Sequence, residues 1–125
     1  MLKKLSDRQL EIMQLMWEEN RPLIASEIVE IKDDLNINTV QASLRSLIKK
    51  GYITMAGIVY SGTVLCRTYS ACVTKQDYLG VVCDNIGKFT DSGTLMASLI
   101  EKETSDELLD ELEKMLAKRK KELKR

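Results

Sequence analysis

The sequence contains no histidine, a single proline, and only one tryptophan and one phenylalanine. The lack of histidine excludes Ser-His and Cys-His nucleophilic catalysis and most metal sites, because these depend on imidazole. A phosphate-cradling glycine loop and a convergent pair of carboxylates are missing as well. We therefore expect a protein that is not an enzyme and that needs no cofactor.

Cysteine is scarce, with Cys66, Cys72 and Cys83 as the only representatives. An odd number without a C-x-x-C pair argues against a disulfide framework and against a zinc knuckle. No apolar run reaches the ~20 residues that cross a bilayer, and no signal peptide is visible. These absences predict buried, reduced thiols and a cytoplasmic protein without membrane contact.

Acidic residues are missing from one long stretch. The whole chain balances 19 Lys and Arg against 19 Asp and Glu, yet no Asp or Glu occurs between Leu35 and Gln76. The uncompensated cations of this stretch are Arg45, Lys49, Lys50, Arg67 and Lys75. Phosphate binding needs a local positive surface, which net charge does not measure. The stretch therefore favours a surface that faces nucleic acid.

Capping residues and apolar periodicity predict two helices before this stretch. Ser6 and Gln9 form a capping box, and the helix that follows should end ahead of Pro22. Its core side carries Leu10, Met13, Met16 and Trp17. The segment ASEIVEIKDDL predicts a second helix with Ile28, Val29 and Leu35 inward. The start of this helix is poorly marked, and Ser26 is a candidate cap one turn late.

A third helix is predicted to begin with a capping box of Asn38 and Gln41 and to end at Gly51. On a helical wheel, its core face holds Val40, Leu44, Leu47 and Ile48. The opposite face carries Ala42, Arg45, Ser46 and Lys49, flanked by Thr39 and Gln41.

Two β-strands rich in Val, Ile, Tyr and Thr should follow, with a turn near Ser61 and Gly62. Three helices and a hairpin within residues 1–73 is the order of a winged helix-turn-helix, which places the third helix in the major groove of DNA. The predicted fold class is α+β, mainly α. We expect contacts to DNA from Thr39, Gln41, Ala42, Arg45, Ser46, Lys49 and Lys50, and from Ser61, Thr63 and Arg67 of the wing.

An ordinary solvated helix also shows polar residues opposite an apolar stripe, so the third helix alone does not decide between the two interpretations. The acid-free stretch and the hairpin favour double-stranded DNA as the partner. The alternative is a winged helix that binds a partner protein and no DNA.

Residues 74–125 predict three more helices. Thr74 caps the first, the segment TLMASLIEKE forms the second, and a capping box of Thr104 and Glu107 begins the third. These helices are too short to bury their own leucines, so they need a partner, either the first domain or a second subunit. The candidate residues for that contact are Leu95, Leu99, Leu108, Leu112, Met115 and Leu116.

The run from Leu5 to Val73 resembles the penicillinase-repressor family (BlaI/MecI, with the copper-responsive CopY group). The likeness is carried by LSDRQLEIMQLMW, by ASEI, by TVQASLRSLIKKG against the family pattern T-V-x-T-x-L-x-R-L-x-x-K-G, by the following YI, and by the tyrosine of RTYSA. The later helices match mainly in length and in SLIEKE, which is similar to the segment carrying the family's cleavage site.

The resemblance implies a homodimeric repressor of a β-lactamase-type antibiotic-resistance response, bound to a dyad-symmetric operator. It implies that residues 74–125 form a helical dimerisation domain, in which the six apolar residues named above lie at the interface between the subunits. It also implies inactivation by a sensor-linked protease within the dimerisation helices, at the bond from Ser98 to Leu99, where the best-known members have Asn-Phe. Ala42 and Ser46 replace the family's usual threonine and arginine, so this helix is expected to read a sequence of its own. The C-x-C motif of the copper-responsive branch is missing, and copper sensing is not expected.

Overall fold

The computed structural model describes residues 2–124 and shows, within them, six helices and one two-stranded sheet. In chain order these are α1 (Asp7–Glu19), α2 (Ala25–Ile31), α3 (Ile37–Lys50), β1 (Ile53–Ser61), β2 (Val64–Ala71), α4 (Lys75–Ile86), α5 (Ser92–Lys102) and α6 (Asp106–Leu123). The predicted class, a winged helix followed by C-terminal helices, is confirmed. The chain forms two compact units, of which the first ends at Asp84 and the second begins at Asn85.

The start and end of α1 agree with the sequence. The Ser6 hydroxyl accepts the Gln9 backbone N–H at 3.3 Å, and the Gln9 side-chain oxygen accepts the Ser6 N–H at 3.1 Å. The helix ends at Glu19, ahead of Pro22. Trp17 packs half-buried against the core and donates its indole N–H to the Val73 carbonyl at 2.9 Å. Its expected structural role is therefore confirmed.

The predicted start of α3 is wrong by two residues. Asn36, with an extended backbone, caps the helix, and its side-chain oxygen accepts the Thr39 N–H at 2.8 Å. Asn38 is already inside the first turn, so it has no cap to make. An N-cap must have non-helical backbone angles, which only Asn36 provides. The predicted end is confirmed, since Gly51 follows Lys50 with a positive φ of 85°.

Two other caps also differ from the prediction. Ser105 rather than Thr104 caps α6, because its hydroxyl accepts the Leu108 N–H at 3.2 Å. Ser26 lies inside α2 and caps nothing; instead the Glu27 carboxylate accepts the Ile24 N–H at 3.1 Å. The α2 helix is also shorter than predicted, ending at Ile31.

The core of the first unit is formed by α1, α2, α3 and the base of the hairpin. Val40, Leu44 and Leu47 of α3 are almost completely buried, as predicted. Ile48 is 43% exposed, so its assignment to the core was wrong, and Ser43 takes the place with 8% exposure. The reason is that α1 contacts α3 on the Ser43 side, which leaves Ile48 at the opposite edge of the buried arc.

The hairpin forms as predicted, with β1 and β2 antiparallel and Gly62 at a positive φ of 65° in the turn. Leu23 adds a third, minimal strand: its N–H and carbonyl bond the backbone of Tyr69 at 2.9 and 2.8 Å. This bridge ties β2 to the chain just ahead of α2. The wing is thereby fixed beside the helix-turn-helix of α2 and α3.

The first unit continues into α4. Tyr78 is buried, its hydroxyl accepts the Leu5 N–H at 3.1 Å, and its ring lies 6.2 Å from Trp17 and 5.9 Å from Tyr52. Thr74 caps this helix through the Asp77 N–H at 3.0 Å, as predicted. The core of the first unit therefore extends beyond residue 73. The assignment of DNA binding to residues 1–73 and dimerisation to 74–125 stays a prediction.

Candidate nucleic-acid interface

The polar side chains of α3 form two neighbouring rows. Gln41, Arg45 and Lys49 are spaced four residues apart, are exposed, and form the outward row. Ala42, Ser46 and Lys50 form the next row, turned by about 100°. The helical wheel alone had placed most of these on one face.

The second of these rows, which consists of Ala42, Ser46 and Lys50, lies on the side of α3 next to α1. Ser46 and Lys50 are half-buried and both bond Gln9, Ser46 through the Gln9 amide nitrogen at 2.9 Å and Lys50 through the amide oxygen at 2.7 Å. Ala42, one turn earlier, is exposed. Thr39 is half-buried, and its backbone N–H is used by the Asn36 cap. The structure therefore brings together Gln41, Arg45 and Lys49 as a free surface, and directs Ser46 and Lys50 toward α1.

A groove of about 480 Å³ separates α3 from the wing. Its helical wall includes Gln41 and Arg45, and its wing wall includes Leu65, Arg67 and Tyr69 of β2. The groove is therefore lined by one arginine from α3 and one from β2. The groove residues include no Asp or Glu, which is a direct consequence of the acid-free stretch.

The cations at this surface are uncompensated. Within residues 2–124, the salt bridges of the first unit connect Arg8 to Glu11 and Asp34, and Arg21 to Glu19 and Glu27. Arg45, Lys49 and Arg67 take part in none of them. Their charges are therefore available to an external anion.

Asn38 is a candidate contact that sequence reasoning missed. The sequence pattern assigns it to the cap, but Asn36 makes the cap, and the exposed side chain of Asn38 forms no hydrogen bond with any described residue. It lies four residues before Ala42 and seven before Arg45, in the middle of the outward surface. An asparagine side chain can pair with both hydrogen-bonding groups of adenine in the major groove. The sequence offers two asparagines, Asn36 and Asn38, as caps for α3, but one helix needs only one N-cap. The asparagine that does not cap the helix could have been predicted as a contact to DNA.

The tip of the wing carries Ser61 and Thr63, both exposed, around Gly62. Its larger side chains are apolar: Tyr60 is 73%, Val64 62% and Leu65 60% exposed. Arg67, further along β2, is exposed as well. Contacts at the tip would therefore come from backbone groups and apolar atoms more than from charge.

The Arg21–Glu27 pair fixes the start of α2. The Arg21 guanidinium lies 2.8 Å from the Glu27 carboxylate, which also accepts the Ile24 N–H. Burial raises the pKa of the Glu27 carboxyl, but the hydrogen bonds from Arg21 and from the Ile24 N–H outweigh it, so its pKa lies below the ordinary value. The pair thus stabilises the helix that supports α3.

The second unit presents an apolar groove of about 240 Å³, formed by α5 and α6. Neither helix has a buried residue. The groove is lined by Met96, Leu99, Ile100, Glu103, Leu108, Leu112 and Leu116. Of the predicted interface residues, Leu99, Leu108, Leu112 and Leu116 meet in it, whereas the exposed Met115 and the half-buried Leu95 lie outside it.

The predicted cleavage bond lies inside α5. Ser98 and Leu99 are exposed but are both helical, with α5 continuing to Lys102. A protease takes its substrate in an extended form, so this bond becomes accessible only when α5 opens locally.

The cysteines are free but not buried, which corrects the prediction: Cys72 and Cys83 are exposed and Cys66 is half-buried. Cys72 lies on the surface where β2 has ended, and its thiol contacts the Gly51 carbonyl at 3.2 Å. Among residues 2–124, no helix is long and apolar enough to cross a membrane.

Comparison with known proteins relates the chain to a family of repressors. The family model described as penicillinase repressor matches residues 5–118. A crystal structure of the adhesin competence repressor (AdcR) from Streptococcus pyogenes is similar over 96% of this chain and 81% of that chain, at 15% identity and a TM-score of 0.44. A likeness of that degree carries no argument for this chain. None of the curated proteins compared matches it.

Proposed function

The chain belongs to the penicillinase repressor family of DNA-binding transcriptional repressors, and we propose that it acts as a homodimer on an operator with two-fold symmetry. In each subunit α3 enters the major groove, with Gln41 and Arg45 reaching base edges and Lys49 reaching phosphate. Asn38 adds a fourth side chain to the same surface. A repressor of this kind needs no chemistry of its own.

The observation that carries this proposal is the acid-free groove between α3 and the wing. Arg45 and Arg67 line it from opposite walls, and neither has a carboxylate partner among the described residues. Arginine binds guanine or phosphate through two parallel hydrogen bonds. A DNA strand along the groove would therefore meet Arg45 of the helix at a base edge and Arg67 of the wing at its phosphates.

The apolar groove of the second unit supports the homodimer. Leu99 is 62% and Leu116 56% exposed, on helices that bury nothing by themselves. Full burial of an exposed leucine is worth about 1.5–3 kcal/mol, and these partly covered side chains would each contribute less than that to association. A second copy brings the same surface, so a two-fold axis would cover both grooves together.

We also propose that the repressor is inactivated by proteolysis. Cleavage between Ser98 and Leu99 would divide α5 and remove Leu99 from its groove. Loss of the interface would release both half-sites. The inducing signal would then act through a sensor-linked protease, as in an antibiotic-resistance response.

Two single substitutions test the DNA surface. Arg45→Ala should weaken binding to the preferred duplex by about 1–3 kcal/mol and relax the preference at one base pair per half-site. Lys49→Ala should weaken all duplexes alike and reduce the slope of log affinity against log salt by about 0.9 for each phosphate that is no longer neutralised. Fluorescence anisotropy with labelled duplexes at several salt concentrations measures both.

Lys32→Ala is a matched control, because Lys32 lies at the end of α2 and outside the groove. It should change neither quantity. Wild-type protein that binds no duplex, together with a partner protein held independently of salt, would instead identify a protein-interaction module.

A further inference from the structure

We propose that Gln9 is a positioning residue: it sets the rotation of α3 about its own axis, and so decides which bases the outward row reaches, without touching DNA. This inference rests on the proposed function. It assigns a specificity role to a residue that the sequence presents only as part of a helix cap.

Gln9 joins the start of α1 to the second half of α3. Its amide oxygen accepts both the Ser6 N–H at 3.1 Å and the Lys50 ammonium at 2.7 Å. Its amide nitrogen donates to the Ser46 hydroxyl at 2.9 Å. The residue is only 9% exposed, so no DNA strand reaches it. Its backbone N–H, bonded to the Ser6 hydroxyl, fixes its own place in α1.

The two attachments lie on one row of α3. Ser46 and Lys50 are four residues apart, which is roughly 6 Å along the helix axis. The apolar contacts of Val40, Leu44 and Leu47 hold α3 against the core, but apolar contact has no preferred direction. Directional hydrogen bonds at two heights therefore define a rotation that the core alone leaves loose.

The rotation matters because hydrogen bonds to bases tolerate little displacement. At the roughly 5–6 Å radius of a helical side chain, a turn of about 15° moves its end by roughly 1.4 Å. Donor–acceptor distances in hydrogen bonds span only about 0.5 Å. A rotation of that size would disturb a bidentate contact of Arg45 with a base more than a contact of Lys49 with phosphate, because the lysine acts as a point charge with few geometric demands.

The residue at position 46 makes this link possible. Serine is short enough for its hydroxyl to meet the Gln9 amide between the two helices. The longer side chain of an arginine at the same place could not occupy that position.

Gln9→Met is the direct test, because methionine keeps the length and apolar contact of the side chain but makes none of its hydrogen bonds. Three duplexes are compared: the sequence selected by the wild-type protein, the same duplex with the base pair read by Arg45 changed, and an unrelated duplex. Wild-type protein should bind the selected duplex more tightly than the duplex with the changed base pair. We expect this ratio of affinities to fall by about five- to tenfold in Gln9→Met, which corresponds to the low end of the free energy of one bidentate base contact. Affinity for the unrelated duplex should stay within about twofold.

Gln14→Met is the matched control, because Gln14 is exposed on the same helix and its side chain forms no hydrogen bond with any described residue. It should leave the ratio unchanged. Gln9→Glu should restore most of the ratio, since the carboxylate still accepts from Ser6 and Lys50 and the Ser46 hydroxyl can donate to it. An unchanged ratio in Gln9→Met would overturn the inference, as would equal losses on all three duplexes.

Ser46→Ala provides a second route that does not depend on the folding of Gln9→Met, because it removes one attachment from the α3 side and leaves the cap of α1 intact. By itself it should lower the same ratio of affinities and leave binding to the unrelated duplex within about twofold; an unchanged ratio would contradict the inference. Combined with Gln9→Met, Ser46→Ala should lose no more than Gln9→Met alone, because both remove the same link. Additive losses would place Ser46 on DNA and contradict the positioning role. Wild-type protein that does not distinguish the three duplexes would refute the proposed function itself, and the inference with it.

Discussion

The two compact units differ in how they satisfy their apolar residues. The first unit closes a core of its own, in which Ile12, Leu23, Leu44 and other side chains are almost completely buried. The second unit has helices α5 and α6 without a single buried residue, and three of their leucines, Leu99, Leu116 and Leu123, are more than half exposed. The same chain thus contains one part with a buried core of its own and one part whose apolar residues are left largely uncovered. In the proposed function, DNA reading belongs to the first and assembly to the second.

The largest expected effect comes from breaking the partner surface. Leu112→Asp combined with Leu116→Asp places two charges in the α5–α6 groove and should convert dimers to monomers. Because coupling two half-sites multiplies affinity by about 10²–10⁴, binding to the full operator should fall at least a hundredfold. Analytical ultracentrifugation and operator titration measure the two effects.

Lys114→Asp is the control, since it changes net charge by the same amount from an exposed position of α6 outside the groove. It should stay dimeric. A stable dimer in the double leucine variant would remove the groove from the interface.

Substitutions at two adjacent residues of α3 test whether the first unit has a stable core of its own. Leu47 is 0% and Ile48 43% exposed. Leu47→Ala should lower the free energy of unfolding of this unit by about 2–5 kcal/mol. Ile48→Ala should cost clearly less, because part of its side chain is already in water. Urea unfolding, repeated at two protein concentrations, should give the same Leu47 effect at both; a concentration-dependent effect would mean that this core also needs a partner.

The two asparagines at the start of α3 are expected to have different roles, one in the stability of the fold and the other in the recognition of DNA bases. Asn36→Ala removes the cap and should cost about 1 kcal/mol of stability. Asn38→Ala should leave stability nearly unchanged and reduce discrimination at one base pair of each half-site. Thermal unfolding and duplex titration of both variants check this. If Asn38→Ala were the destabilising one, the cap would lie at Asn38, as the sequence pattern indicates.

The smallest effect concerns the support of α2. The pKa of Glu27 is lowered in the folded protein, so its ionised form contributes stability above its unfolded pKa, and this is lost as pH falls through the folded pKa. Glu27→Gln should therefore destabilise by less than about 1 kcal/mol near neutral pH. The difference from wild type should shrink below about pH 4.5 in urea titrations. A difference that grew in acid would have the wrong sign for this pair.

Local chemistry was predictable wherever a few neighbouring residues decide it. The Ser6–Gln9 capping box, the end of α3 at Gly51 and the hairpin turn at Gly62 depend on short-range geometry, and all three are confirmed. Membership of the penicillinase repressor family was also identifiable, because its motifs lie in the residues of α1 and α3.

Features that depend on distant residues were not predictable. Which edge of the apolar arc of α3 stays open depends on how α1 packs against it. The contacts of Gln9 with Ser46 and Lys50 span 37 and 41 residues of sequence and leave no local trace. The division of α3 into an outward row and an α1-facing row follows from those contacts.

The central claim is that two winged helices read two equal half-sites through an acid-free surface. Selection from random duplexes at two salt concentrations tests it most directly. We expect an enriched two-fold symmetric sequence, with half-sites separated by about 10–10.5 base pairs or a multiple. Affinity should also fall steeply as salt rises. An unenriched pool, or a single half-site without symmetry, would contradict the claim.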